Sequence, residues 1–158
     1  MLNWFRKARN RIGYYNQPSG VSELGAPSAG DDAIKWFRKA AEKGTCWGQF
    51  NLGIRYARGD GVPQDHAEAI KWFQKAADQK DAMSQYCLGE MYEKGLGVPV
   101  DQLKAYQWYC LAASHGIREA ENARHRLQPN LTPEQIADGQ AHRIPNVPRQ
   151  SNSSPKNP

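Results

Sequence analysis

AIKWFRKAAEKG, Ala33 to Gly44, returns as AIKWFQKAADQK at Ala69 to Lys80 and again, altered, as AYQWYCLAASHG at Ala105 to Gly116. Each copy begins 36 residues after the last. Inside the second copy Ala69, Ile70, Phe73, Ala76 and Ala77 recur at steps of three and four, with Lys71, Gln74, Lys75 and Asp78 outside the stripe. That pattern is one apolar face of a helix. Its recurrence raises the question of whether the phrase is a binding tool used three times or a unit of construction.

Working outward, residues 30–65 lie over 66–101 without a gap. Trp36 falls on Trp72, Phe37 on Phe73, Leu52 on Leu88, Gly53 on Gly89, Tyr56 on Tyr92, and GDGVPQD on GLGVPVD, with close to half of the 36 positions identical. A third copy keeps Ala105, Trp108, Tyr109, Ala112, Ala113 and Gly116. A fixed period between about 20 and 50 residues marks a solenoid, whose units bury their apolar faces against neighbours. The fold class predicted is all-α, an α/α superhelix of helix-turn-helix repeats with a 36-residue period.

Each unit reads as two helices. A second helix is predicted over Trp47–Arg58, with its equivalent at Ala82–Lys94. Gly59 and Gly61 stop it, and Asp65 with Glu68 three residues on reads as a capping box for the next. Alanines 40, 41, 76, 77, 112 and 113 allow close helix approach. Gly53 and Gly89, inside helices, each cost about 1 kcal/mol against alanine, so close contact is the expected reason for them.

The composition sets outer limits. With 158 residues, 23% charged and 39% hydrophobic, the chain fits one ordinary globular domain. No apolar run approaches the roughly 18 residues that span a bilayer. The start, MLNWFRKARNRIGYYN, lacks the apolar stretch of a secretory signal, so a cytoplasmic location is expected. Cys46, Cys87 and Cys110 occupy different phases of the repeat and read as buried thiols rather than a disulfide framework. The net charge of +5 belongs to the ends. Arg6, Lys7, Arg9 and Arg11, with Arg143, Arg149 and Lys156, leave a middle of 14 bases and 16 acids. Nucleic acid is therefore not the expected partner, and the terminal charges read as a solvated face.

The run L-G-x-x-Y-x-x-G-x-G-V-P-x-D followed by A-x-K-W-F-x-K-A-A, from Leu52 to Ala77 and in part from Leu88 to Ala113, resembles the Sel-one-like repeat (SLR), a relative of the tetratricopeptide repeat. The resemblance covers residues 31–128. It implies an α-solenoid whose curved surface holds proteins together, as an adaptor or scaffold in signalling, secretion, stress or host interaction, mostly in bacteria for small chains.

The ends depart from the pattern. NWFRKA, Asn3 to Ala8, echoes the helix phrase out of phase, and GYYNQPSGVSE carries Pro18 and Gly20 where a helix would stand, so residues 1–30 read as a degenerate repeat or a basic helix plus loop. Thr132, Pro133 and Gln135 read as N-cap, first-turn proline and capping-box partner of a final helix to about Arg143, a cap over residues 129–143. Residues 144–158 are proline-rich and polar and read as disordered.

Chemistry is scarce. Cys110, His115 and His125 match no usual zinc-ligand spacing. The glycine-rich turns lack the lysine and preceding strand of a phosphate loop. Ser153 and Lys156 satisfy S-x-x-K, but a tail lacks the rigid pocket that a β-lactamase-like hydrolase needs. No enzyme activity, metal or cofactor is expected.

Binding remains. With tetratricopeptide-like stacking, the first helix of each pair lines the concave side and turns Leu52, Gly53 and Tyr56 into the packing. Its outer face is then expected to carry Trp47, Phe50, Ile54 and Arg58, followed by Met83, Tyr86, Glu90 and Lys94. Aromatic and methionine side chains there would anchor a peptide or helix, though Phe50 and Tyr86 equally suit the core. The leading reading is a protein-binding adaptor, open to end-to-end stacking of copies. The alternatives are an effector- or toxin-associated interaction protein and a basic-ended nucleic-acid or membrane-surface binder.

Overall fold

The computed structural model describes residues 31–141 of the chain. Seven α-helices follow one another there: α1 Asp31–Glu42, α2 Cys46–Arg58, α3 His66–Asp78, α4 Ala82–Lys94, α5 Gln102–Ser114, α6 Arg118–Leu127 and α7 Pro133–Gln140. No strand occurs among the described residues. The sequence phrase forms α1, α3 and α5, and α2 and α4 are the other predicted helices, α2 starting one residue earlier at Cys46. The readings of residues 1–30 and 144–158 lie outside the described residues.

The boundaries have local causes. The α3 N-cap is Asp65, whose Oδ1 accepts the Glu68 N–H at 2.9 Å, and Asp101 does the same for Lys104 at the head of α5. The predicted capping box is only half made at α3, because the Glu68 carboxylate turns instead to Lys71. α2 and α4 end on Gly59 and Gly95, with φ of 74° and 68°, a left-handed conformation that glycine enters without Cβ strain. The chain is then carried back by the same bond twice, Asp65 N–H to Tyr56 O and Asp101 N–H to Tyr92 O, both 2.9 Å. At α7 the full box forms, with Thr132 and Gln135 exchanging side-chain and backbone bonds.

Helices pack on their sequence neighbours, α1 on α2, α2 on α3 and onward to α6. The repeated alanines sit in these contacts: five of the six are buried, and Ala113 is half-buried. The helical glycines are explained by contact. A Cβ on Gly53 would stand 2.7 Å from Cε1 of Phe73, and one on Gly89 2.5 Å from the same atom of Tyr109. Phe73 is wholly buried against that bare backbone, worth about 2 to 3 kcal/mol in transfer free energy.

The two units differ in detail. Lys80 has φ of 67°, where Gly44 and Gly116 hold the same place with φ of 81° and 85°. Gln79 Nε2 donates to Gln49 Oε1 at 2.7 Å, whereas Gln85, the counterpart of Gln49, keeps Oε1 buried without a hydrogen-bond partner. The counterpart of Gln79 is His115, whose Nδ1 is instead 2.9 Å from Leu111 O.

α6 begins another unit that is not completed. The period assigns the next second helix a start five residues beyond Pro133. α7 instead arrives early and packs on α5, with Gly139 against the Tyr106 ring. Its other face carries the exposed Glu134, Ala137, Asp138 and Gln140.

Candidate protein-interaction face

α2, α4 and α6 are the first helices of successive units and contribute to shared core clusters. Phe50 and Ile54 of α2 share one core cluster with Met83, Cys87 and Met91 of α4. Tyr86 of α4 shares the next with Ala120, Ala123 and Leu127 of α6. The eight residues assigned to the outer face therefore divide. Phe50, Ile54, Met83 and Tyr86 are buried in these seams, which corrects the expectation that they project as anchors. The reason is packing: the Phe50 ring lies 6.0 Å from that of Phe73 on α3 and the Tyr86 ring 5.5 Å from that of Tyr109 on α5, while Ile54 and Met83 fall in the same cluster as Phe50 and Phe73. Trp47, Arg58, Glu90 and Lys94 keep exposed atoms.

Trp47 is edge-on to Trp36 with ring centroids 4.9 Å apart and tilted against Phe37 at 5.1 Å, so most of its ring is committed to the core. The accessible remainder of the face is polar. Arg58 stands 3.8 Å from Asp60, and Lys94 donates to Glu90 within α4. Between α4 and α6 lies a set that the sequence reading missed. Tyr109, itself fully buried on α5, donates its hydroxyl to Glu93 Oε2 at 2.6 Å. Arg126 Nη2 donates to both Glu93 oxygens at 2.7 and 2.9 Å. The corresponding pair one unit earlier is Ala57 and Phe73, so the signal available was a paired apolar-to-polar change between copies.

These environments shift ionisation. Burial, reinforced by the Glu93 hydrogen bond, pushes the Tyr109 hydroxyl up. The Glu93 hydrogen bond raises Arg126. Burial, then the neighbouring Asp81 charge, pushes the Cys46 thiol to about 12, and burial raises Cys87 and Cys110. All three thiols are thus protonated at neutral pH and poor nucleophiles. Cys87 and Cys110 are buried as expected, while Cys46 is only half-buried. Cys110 is buried while His115 and His125 are exposed, and no three His, Cys, Asp or Glu side chains are grouped to hold a metal among the described residues. Ser153 and Lys156 lie outside those residues. No described helix is long and apolar enough to cross a membrane.

Comparison with known proteins places this architecture. The Sel1 repeat family model matches residues 6–45, 48–81 and 82–117. The last two matches are the α2–α3 and α4–α5 pairs, and the first ends after α1. Among solved structures, the chain is similar to c5321, a protective antigen present in uropathogenic Escherichia coli strains displaying an SLR fold, at 33% identity and TM-score 0.68 over 86% of this chain and 28% of that one. It is also similar to a Sel1 repeat protein from Oxalobacter formigenes, at 38% identity and TM-score 0.57 over 72% of this chain and 45% of that one. It therefore spans less than half the length of either. No curated protein matches the sequence. With three consecutive family matches that together cover most of the chain, the chain belongs to the Sel1 repeat family.

Proposed function

We propose that this protein is an interaction adaptor that binds a protein or peptide along the row formed by α2, α4 and α6. Sel1 repeats generally mediate protein–protein interaction. The observation that carries the more specific reading is the contrast on this face between a closed apolar seam and an open polar line. Arg58, Glu90 and Lys94 form that line together with Arg126 on α6. Arg126 is the most open of them, its side chain 63% accessible. A partner reading this line is held by hydrogen bonds and charge pairs over a rigid base, with Trp47 offering an apolar edge at one end. A recruiting scaffold needs no catalytic group, and the protonated thiols fit that role.

The test uses a partner isolated by affinity capture and then purified. A photo-crosslinking residue placed at Arg58, Lys94 or Arg126 is expected to join that partner, and one placed at Asp78, exposed on α3, is not. Charge reversal by R58E with K94E is expected to weaken capture about ten-fold or more. Crosslinking from Asp78 with none from the three face positions would place the interface elsewhere.

A further inference from the structure

Unit one shows that the helical packing around position 109 does not require a polar network. There Phe73 packs under Gly53 with Ala57 nearby in sequence register, and the same backbone geometry results. Unit two replaces this economical pair with Tyr109 and Glu93, burying a hydroxyl and half-burying a carboxylate whose side chain is 18% accessible. Buried polar groups are a weak source of stability and are better explained by what they hold in place. What this pair holds is Arg126.

The grip on Arg126 is one-sided. Nη2 alone makes both bonds to Glu93, and among the described residues Nε and Nη1 make no hydrogen bond, while the side chain remains largely open. An arginine side chain normally loses rotamer freedom when a ligand fixes it, and here much of that loss has already occurred on folding. The first helices α2, α4 and α6 together carry six bases, Arg55, Arg58, Lys94, Arg118, Arg124 and Arg126, against the four acids Glu90, Glu93, Glu119 and Glu121. The surplus on this row is positive.

We propose that Arg126, held by Tyr109 and Glu93, is a prepositioned anchor for a carboxylate of an acidic peptide segment, and that Lys94 and Arg58 on the next two helices extend the preference for acidic residues. This rests on the adaptor reading above and names the partner's chemistry. Glu93 and Tyr109 are positioning residues, acting through the guanidinium.

The experiment uses the full chain and three synthetic ten-residue peptides, alternating Glu-Ser, Gln-Ser and Lys-Ser, followed by fluorescence anisotropy. The Glu-Ser peptide is expected to bind best, and R126Q to weaken it about ten-fold. R126K is expected to restore only part of that loss, because lysine keeps the charge and loses the held planar donor. The double variant E93A with Y109F rebuilds the unit-one pair and keeps the arginine. It is expected to fold, by circular dichroism, and to bind the Glu-Ser peptide about three-fold to ten-fold more weakly. Unchanged or tighter binding by that variant would mean that Glu93 merely repels the ligand and would overturn the positioning role. Equal binding of all three peptides, or R126Q binding as well as the parent, would remove the anchor. If partner crosslinks from Lys94 persist in that case, the interaction face stands and only its proposed chemistry fails.

Discussion

Gly89 presents bare backbone to the ring of Tyr109, so that a Cβ at this position would come within 2.5 Å of Cε1. Gly53 makes the same relationship with Phe73 at 2.7 Å. Alanine would favour the helix by about 1 kcal/mol on intrinsic grounds, but it must displace a buried ring. Gly53→Ala and Gly89→Ala are expected to destabilise by about 1 to 3 kcal/mol each in urea denaturation. The Gly89 variant should suffer more, because Tyr109 is tied to Glu93 and cannot swing aside. A stabilised Gly89→Ala protein would refute the close-packing account.

The Tyr109–Glu93 pair should behave as a coupled unit. Glu93→Ala leaves a buried hydroxyl without its acceptor and is expected to cost about 2 kcal/mol. Tyr109→Phe removes one bond while Arg126 still holds the carboxylate, at about 1 kcal/mol. The double variant restores the combination already tolerated at Phe73 and Ala57. Its loss should be smaller than the sum of the single losses by about 1 kcal/mol or more, measured as a double-mutant cycle. Strict additivity would show that the two groups do not communicate.

Lys80 occupies a left-handed backbone position that glycine fills in the units on either side. Lys80→Gly should remove about 1 kcal/mol of steric strain and raise the melting temperature by about 3 °C. A fall in melting temperature would indicate that lysine's smaller unfolded-state freedom outweighs the strain.

His115→Gln transplants the Gln79 arrangement to the next unit and offers an amide donor to the orphaned Oε1 of Gln85. About 1 kcal/mol of added stability is expected. Amide exchange slowed around α4 and the end of α5 would locate the gain, and its absence with unchanged stability would show that the new side chain does not reach.

Stability should also fall in alkali. Cys46 titrates near 9.0 when unfolded and about 12 when folded, so its contribution is complete below pH 9 and is lost as pH rises toward 12. The raised Cys87 adds in the same direction. The urea midpoint is expected to decline from about pH 9 upward, and labelling of folded thiols at pH 8 to be slower than in the denatured chain. A midpoint flat to pH 11 would be inconsistent with buried protonated thiols.

The period made α1 to α5 legible because helix packing repeats only if its residues repeat, and the phrase around Trp72 and Phe73 carries both stripe and spacing. Thr132 and Gln135 made the start of α7 legible through cap chemistry, which is local. The face was harder. Phe50 and Tyr86 lie at helical positions that suit either a groove or a core, and their burial depends on how each pair closes, Phe50 on Phe73 and Tyr86 on Tyr109, a fit that no periodicity encodes. Glu93 and Arg126 are 33 residues apart and in different helices. Their meeting follows from the stacking angle between units, so only the change from Ala57 to Glu93 and from Phe73 to Tyr109 hinted at it.

The early arrival of α7 bears on how this protein could be lengthened. A copy appended after Gln140 would enter out of phase, with Tyr106 already covered by Gly139 and no seam left to receive it. A 36-residue unit spliced between Ile117 and Arg118 would instead meet the end of α5 in register and hand the same surface on to α6. Lengthening of such a chain is thus expected to succeed by insertion, with α6 and α7 carried along after the new unit.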